Sequence, residues 1–542
     1  MFFLFITQIT KGYSDVLLTK WTSEYFQNNL GHYVRLFVFL SLVSVLFIYL
    51  RLIYISILSL KGGEELHFKM IDRLIKAPIN LYHDITNKGN IFNQLSKDLG
   101  TVDFLSSVML GNTLSFGAMF IGILIITSFY QPVCLLFLPL FLYAGLKLLR
   151  FYLNCCRPLN NHESKAHQPI INLVYESYDG RETIKAYEKK EKMYLMFIEK
   201  IDNYILINDF LKGVNVWFNF VLEIMNLIFR FFLFSFILIL RNRVKPEIIG
   251  LFFIYTFNIQ DYLIRFLYSV SMFENSMMAL NRCLNYTEII QEHPSKKMFD
   301  KNLENWPSTG SIQVKNLNIK YRPELNYVLR NVNFIINSKE KIGVCGRTGS
   351  GKSTLLLSLL RIIETNNDGI IEIDGVNLAN LGLEKIRENI AIIPQDPVIF
   401  NDTAKFNLDP ENVYSDEDIF KVIDLLGLNK ITDLNQKIDK FSQGEKQLIC
   451  IGRACLKGSK ILLLDEATAY LDGNTEHKVL KMLYEKFYKE STVICISHRL
   501  YTLENCNRIF VFNDGVLEEN DTFQNLKNNK NSLFNQLYKG SK

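Results

Sequence analysis

The sequence predicts a two-part fold, an α-helical region of six apolar spans followed by an α/β domain. Three observations carry this. Long apolar runs, each near the roughly 20 residues that cross a bilayer, fill the first part of the chain. From Ser311 the texture changes to short β-type runs alternating with helical segments. Within that second part stands Gly346-Arg347-Thr348-Gly349-Ser350-Gly351-Lys352-Ser353-Thr354, which fits G-x-x-x-x-G-K-[ST].

Composition agrees with two unlike parts in series. Hydrophobic residues make up 49% of the 542, yet 21% are charged. The mean hydropathy of +0.09 is high for a water-soluble protein. A net charge of +5, with no basic stripe interleaved with aromatics, argues against a nucleic-acid partner. Nine cysteines without C-x-x-C spacing read as free thiols in a reducing compartment. Residues 1–18 lack a basic n-region and an A-x-A site, so no cleavable signal is expected.

The spans are placed at about 2–22, 33–60, 104–129, 132–155, 214–240 and 247–275. The first carries Lys11 and Asp15. Connections after the second and fourth spans are long and basic, with Lys69, Arg73, Lys76, Lys88 and Lys97 in one and Lys165, Arg181, Lys185, Lys189, Lys190 and Lys192 in the other. The positive-inside bias puts both in the cytoplasm, which leaves Arg241, Arg243 and Lys245 on the far side, against that bias. In the first loop, the stretch from Lys76-Ala77-Pro78 to Asp84 breaks one helix and begins a short one; a second long helix starts at Asn87 and runs to Asp103. His167 to Ser177 is the corresponding candidate in the other loop. The two loops read equally well as short cross-helices or as plain solvated loops. The expected organisation is a membrane domain over 1–280, a polar linker over 281–310 and a nucleotide-binding domain over 311–542.

The chemistry follows from residue types. Glycines let successive backbone N–H groups of the loop turn inward on phosphate oxygens. Lys352 adds a point charge at the β- and γ-phosphates, and Ser353 offers a hydroxyl to Mg²⁺. Ile461-Leu462-Leu463-Leu464-Asp465 reads as a buried parallel strand ending in a carboxylate, where phosphates and Mg²⁺ gather. Asp465 is the metal candidate, and Glu466 the group that polarises the attacking water. Gln395 and His498 each follow another apolar strand; Gln395 would reach the metal or the water, and His498 the γ-phosphate. Tyr321 offers a ring to stack on adenine, against the alternative of a core aromatic at a strand end. Ser442 and Gly444 precede a helix placed over 447–456 and make an anion site too far along the chain to belong obviously to the same phosphates.

Together these residues resemble an ATP-binding cassette (ABC) transporter over nearly the whole chain. The loop at 346–354 resembles Walker A, Ile461 to Asp465 Walker B, Gln395 the Q-loop, and Ser442-Gln443-Gly444-Glu445 the signature motif. Glu466 matches the catalytic base, Ala469-Tyr470-Leu471-Asp472 the D-loop, His498 the switch histidine and Tyr321 the adenine-stacking aromatic. Tyr321-Arg322-Pro323, Pro394-Gln395-Asp396-Pro397 and Phe406-Asn407-Leu408-Asp409-Pro410 are similar to the second cassette of the C subfamily, the multidrug-resistance-associated type. The chain thus resembles the C-terminal half of such a transporter, with a six-helix exporter bundle of the type IV class.

The resemblance implies a half-transporter that binds ATP and Mg²⁺. ATP would be clamped between the Walker A of one cassette and the signature of another. A second ABC half, identical or different, is therefore an implied partner, together with the lipid bilayer and a small-molecule substrate, anionic conjugates being the family's association with the position of Arg265. An ATP-gated channel, a channel regulator and a non-transporting partner subunit are the alternatives. The chain departs from the pattern at Glu445, where the family usually has Gln, and at Phe441, where it has Leu. In the fifth span Trp217 and Glu223 match, but Val216 and Val221 stand where arginines are common. Asp261 and Arg265 are spaced to satisfy each other as an i,i+4 pair.

Overall fold

The structure, a computed structural model, describes residues 2–21, 30–130, 134–239, 246–365, 368–438 and 441–540. Arg241, Arg243 and Lys245 lie outside the described residues. The chain divides into two compact units, one of 1–76 with 86–289, the other of 77–85 with 290–542.

The first unit is helical. Its helices are α1 (Phe2–Trp21), α2 (Leu30–Ile75), α3 (Lys88–Asn93), α4 (Ser107–Tyr130), α5 (Cys134–Asp179), α6 (Arg181–Ala186), α7 (Lys190–Ile239) and α8 (Pro246–Thr287). Single helical turns link α3 to α4, so the chain stays helical from Lys88 to Tyr130. Among the described residues, three stretches are long and apolar enough to cross a membrane: Gly31–Ile75, Lys88–Ile126 and Lys190–Phe232. Gly31–Ile75 has a mean hydropathy of 2.5 and buries none of its most apolar window. Phe39, Leu42, Leu46 and Tyr49 face outward, a surface that suits lipid and not water.

The bundle core joins α4, α5, α7 and α8 through Phe120, Leu149, Phe218, Leu222 and Leu263. Tyr152 stacks on Phe218 with ring centroids 4.1 Å apart and accepts a hydrogen bond from Ser271 at 3.1 Å. Beyond the core, Arg282 of α8 grips Asp98 with two hydrogen bonds, of 2.8 and 2.7 Å. Lys97 reaches Glu163 of α5 at 3.0 Å. The Arg265 guanidinium sits 6.0 Å from the centroid of the Phe116 ring, and no ion pair with Asp261 is found among the described residues.

The loops differ from expectation in one place. A single turn does form at Ile79–His83, after Pro78 in extended conformation. His167 to Ser177, however, stays inside α5, which runs through Pro169 unbroken. The break comes at Gly180, and the short helix is α6. An internal proline removes one backbone donor, and a helix packed along α7 tolerates that loss.

The second unit is α/β. An antiparallel sheet of order β2-β1-β4-β5 uses β1 (Ile312–Ile319), β2 (Leu329–Ile336), β4 (Ile370–Ile373) and β5 (Val376–Asn377). A six-stranded sheet of order β10-β9-β3-β8-β7-β6 uses β3 (Lys341–Gly346), β6 (Ile390–Ile393), β7 (Ile461–Asp465), β8 (Thr492–Ile496), β9 (Arg508–Asn513) and β10 (Val516–Asp521). Its strands β9, β3, β8, β7 and β6 pair in parallel. The helices are α9 (Lys352–Leu359), α10 (Leu383–Asn389), α11 (Ala404–Leu408), α12 (Asp416–Leu426), α13 (Gln443–Lys457), α14 (Gly473–Met482), α15 (Phe523–Asn528) and α16 (Leu533–Gly540).

The burial pattern explains the layers. β2 alternates buried and exposed residues along most of its length, with one face on a core that includes Ile312, Val314, Leu355 and Phe510. All five residues of β8, and the first four of β7, are buried, because helices and the second sheet cover both faces. The other core lies between the parallel sheet and α12, α13 and α14. The turn at Ile79–His83 belongs to this unit, where the side-chain amide of Asn80 donates to the Tyr321 carbonyl at 2.6 Å.

Candidate nucleotide site

The parallel strands bring the candidate residues to one edge. β3 leads into the glycine loop, β7 ends at Asp465, β8 leads to His498 and β6 to Gln395, all at carboxyl ends. In the register, Asp465 lies beside Ile496 and Val344 beside the same residue on the other side.

The loop between β3 and α9 needs its glycines. Gly346 has φ of 149°, and a Cβ there would come within 2.2 Å of the Phe512 carbonyl oxygen. Gly351 has φ of 94° and caps α9. The Lys352 ammonium folds back to donate to the carbonyls of Gly346 at 3.0 Å and Arg347 at 2.8 Å. Lys352 is buried, and burial pushes its pKa below that of an ordinary lysine, with Glu466 and Asp465 opposing the shift. The hydroxyl of Ser350, 3% exposed, has no hydrogen-bond partner. An orphaned donor and an ammonium held only by carbonyls fit an anion in the loop.

Ser353 donates to Asp465 Oδ1 at 3.2 Å. Burial raises the Asp465 carboxyl above the usual range, which the bond from Ser353 partly opposes. A hydroxyl and a carboxylate this close suit a magnesium ion that keeps waters and phosphate oxygens as its other ligands. Glu466, next along the chain, sits at φ of +48° with its N–H donating to the Ile496 carbonyl. That left-handed backbone turns its carboxylate onto His498, whose Nε2 lies 2.8 Å from Glu466 Oε1. Tyr321 packs beside the sheet core with its hydroxyl 3.2 Å from Thr354 Oγ1. The ring is thus anchored to the first turn of α9. Gln395 is exposed at the end of β6.

The structure therefore gathers Tyr321, Gly346 to Thr354, Asp465, Glu466 and His498. Ser442 and Gly444 stand apart, with no described hydrogen bond to the loop. Here α13 starts four residues earlier than the sequence suggested, because Ser442 caps it. The Ser442 N–H and hydroxyl both donate to Glu445 Oε2, at 2.8 and 2.9 Å, and the Glu445 N–H donates back to the hydroxyl at 3.3 Å. Lys430 holds the other oxygen, Glu445 Oε1, at 2.8 Å and lies 6.0 Å from the centroid of the Phe441 ring. The bond from Lys430, then those from Ser442, hold the Glu445 carboxyl below its usual range.

Two partners were missed from sequence. Lys430 is one, since only the fold brings it to Glu445. Tyr470 is the other: its hydroxyl donates to Asp396 at 2.9 Å and ties the turn after Glu466 to the residue after Gln395. The spacing Ser442-x-x-Glu445 was a readable capping signal.

Comparison with known proteins agrees with both units. The ABC transporter transmembrane region matches residues 1–260, and the ABC transporter domain matches 329–469. Among curated proteins, "ABC transporter C family member 3" of Dictyostelium discoideum is 31% identical across 99% of this chain and 39% of its own length. "ATP-binding cassette sub-family C member 3" of Rattus norvegicus is 31% identical across 95% of this chain and 34% of its own length. "ABC transporter C family member 6" of Dictyostelium discoideum is 32% identical across 99% and 41%. The chain thus spans between a third and about two fifths of these relatives. A helical membrane region joined to a cassette with this strand-end geometry, and relatives drawn from one branch, place the chain in the ABC transporter family, C subfamily.

Proposed function

We propose that this chain is an ATP-hydrolysing half-transporter. It would span the membrane with residues 1–280, connect through 281–310 and bind ATP with 311–542 on the cytoplasmic side. The observation that carries the reading is Glu466, one residue past the metal candidate Asp465 and facing His498 at 2.8 Å. Lys352, Ser350 and the loop N–H groups would hold the phosphates; Tyr321 would stack on the base. Magnesium, when bound, would neutralise the charge that builds on the transferred phosphoryl oxygens, with Ser353, Asp465 and Gln395 as its holders. Glu466 would accept a proton from the attacking water, and His498 would orient that carboxylate and then face the γ-phosphate.

One chain holds one phosphate loop and one signature. A complete site would need Ser442 and Gly444 of a second ABC half, identical or different. Closure on ATP and release after hydrolysis would then switch the membrane unit between inward- and outward-facing forms, because the two nucleotides favour different states. The test is ATPase turnover of the full chain in lipid nanodiscs, wild type against Glu466→Gln. Turnover present in the first and lost in the second supports hydrolysis by this chain. Equal negligible turnover with ATP bound removes that reading and favours a non-hydrolysing subunit or gate.

A further inference from the structure

We infer that Glu445 is a built-in competitor for the nucleotide at this chain's own signature surface. The inference rests on the reading that Ser442 is offered to ATP held by another cassette. An N-terminal helix end attracts anions through its free N–H groups and its dipole. At α13 the donors of the capping serine and the Glu445 N–H are already engaged. The Glu445 carboxylate takes the Ser442 hydroxyl and the Ser442 N–H on one oxygen and the Lys430 ammonium on the other. The serine donor is therefore pointed inward along its own chain. A triphosphate approaching the exposed Ser442 must displace a carboxylate held on three sides, and meets a fixed negative charge if it does not.

The chemistry offers a clean separation of charge from fold. Glutamine serves at the third helical position of a capping box as glutamate does, so Glu445→Gln keeps the turn while removing the charge. The neutral amide also holds Lys430 less firmly and yields the serine more readily. Two copies of the Glu445→Gln chain would then close on ATP more easily than two copies of the wild type. The partner best matched to the wild-type chain is accordingly an ABC half whose own signature lacks an acidic residue at this position. Such a half would complete the phosphate loop of this chain without the competition.

The experiment uses full chains carrying Glu466→Gln to halt turnover, tagged with donor or acceptor fluorophores and co-reconstituted in nanodiscs. The ATP concentration giving half-maximal energy transfer is read. Adding Glu445→Gln is expected to lower it about 10-fold, the effect of removing one nearby like charge at partial screening. Adding Lys430→Met, which leaves the carboxylate without its cation, is expected to raise it. If Glu445→Gln behaves as its parent, whether both associate or neither does, the competitor role is overturned. Ser442→Arg addresses the underlying reading separately. Association that survives Ser442→Arg removes the role of the signature in trans. Association lost with Ser442→Arg but indifferent to Glu445→Gln removes only the competitor role of Glu445.

Discussion

His498 Nε2 stands 2.8 Å from Glu466 Oε1, and the pair spans the carboxyl ends of two adjacent parallel strands. Under the proposed mechanism the two side chains act together. His498→Ala is expected to lower ATPase turnover by about 10–100-fold, and Glu466→Gln by about 10²–10⁴-fold. The double variant should be no slower than Glu466→Gln alone, since groups acting together do not lose activity additively. Steady-state phosphate release from the three variants checks this.

Lys352 is the buried cation of the loop, and its ammonium is held by the carbonyls of Gly346 and Arg347. Lys352→Met removes the charge while preserving much of the apolar stem. ATP affinity should fall by at least about 10–100-fold, the size of a charged hydrogen bond. Displacement of a fluorescent ATP analogue measures it. Because burial lowers this lysine's pKa, the wild type should also lose ATP affinity on the alkaline side before an exposed lysine would discharge.

Tyr321 separates two contributions. Tyr321→Phe removes only the hydroxyl contact with Thr354 and should change ATP affinity by at most about tenfold, the upper worth of one neutral hydrogen bond. Tyr321→Ala removes the ring and should cost about 1–3 kcal/mol of binding, the usual worth of base stacking on an aromatic. The same displacement assay distinguishes them.

Asp98 is 3% exposed at its side chain and gripped by Arg282 through two hydrogen bonds. Arg282→Met would leave a buried carboxylate without its partner, at a cost of about 3–5 kcal/mol. Adding Asp98→Asn should return part of the loss, because the orphaned charge goes with it. Thermal unfolding of the purified chain in detergent is the measurement, read as a double-mutant cycle.

Asp374 offers a pH test. Burial alone would raise its carboxyl, but the Thr309 hydroxyl and the N–H groups of Thr309, Gly310 and Ser311 outweigh that and hold it well below the ordinary range. A carboxyl depressed in the fold stabilises it above the unfolded pKa, near 4, and that contribution fades as pH falls toward the folded value. Asp374→Asn tolerates the left-handed backbone, φ of 50°, and should lower the cassette melting temperature at pH 7. The gap from wild type should narrow below about pH 4.

Much of this was legible in the chain. Ile461 to Leu464 announced a buried strand by being apolar throughout, and Asp465 announced the site by ending it. The glycine loop was legible because few other residues adopt φ of 149° or 94°. What stayed hidden depended on distance along the chain. Tyr470 meets Asp396 across 74 residues, and no local pattern encodes that. Lys430 meets Glu445 only because the turn after α12 folds back on α13. His167 to Ser177 misled because Pro169 looks like a helix breaker, yet tertiary packing along α7 keeps α5 continuous to Asp179. Where packing outvotes propensity, sequence alone misplaces the boundary.

The turn at Ile79–His83 is counted with the cassette although some two hundred residues separate it from β1 along the chain. The polypeptide therefore threads from the helical unit into the α/β unit at 77, back at 86 and across again at 290. A cut in the backbone at 290 would leave residues 77–85 on one fragment and 291–542 on the other, with the hydrogen bond from Asn80 to the Tyr321 carbonyl running between the two fragments. A recombinant cassette begun after that point would lack the turn that donates to the backbone of Tyr321.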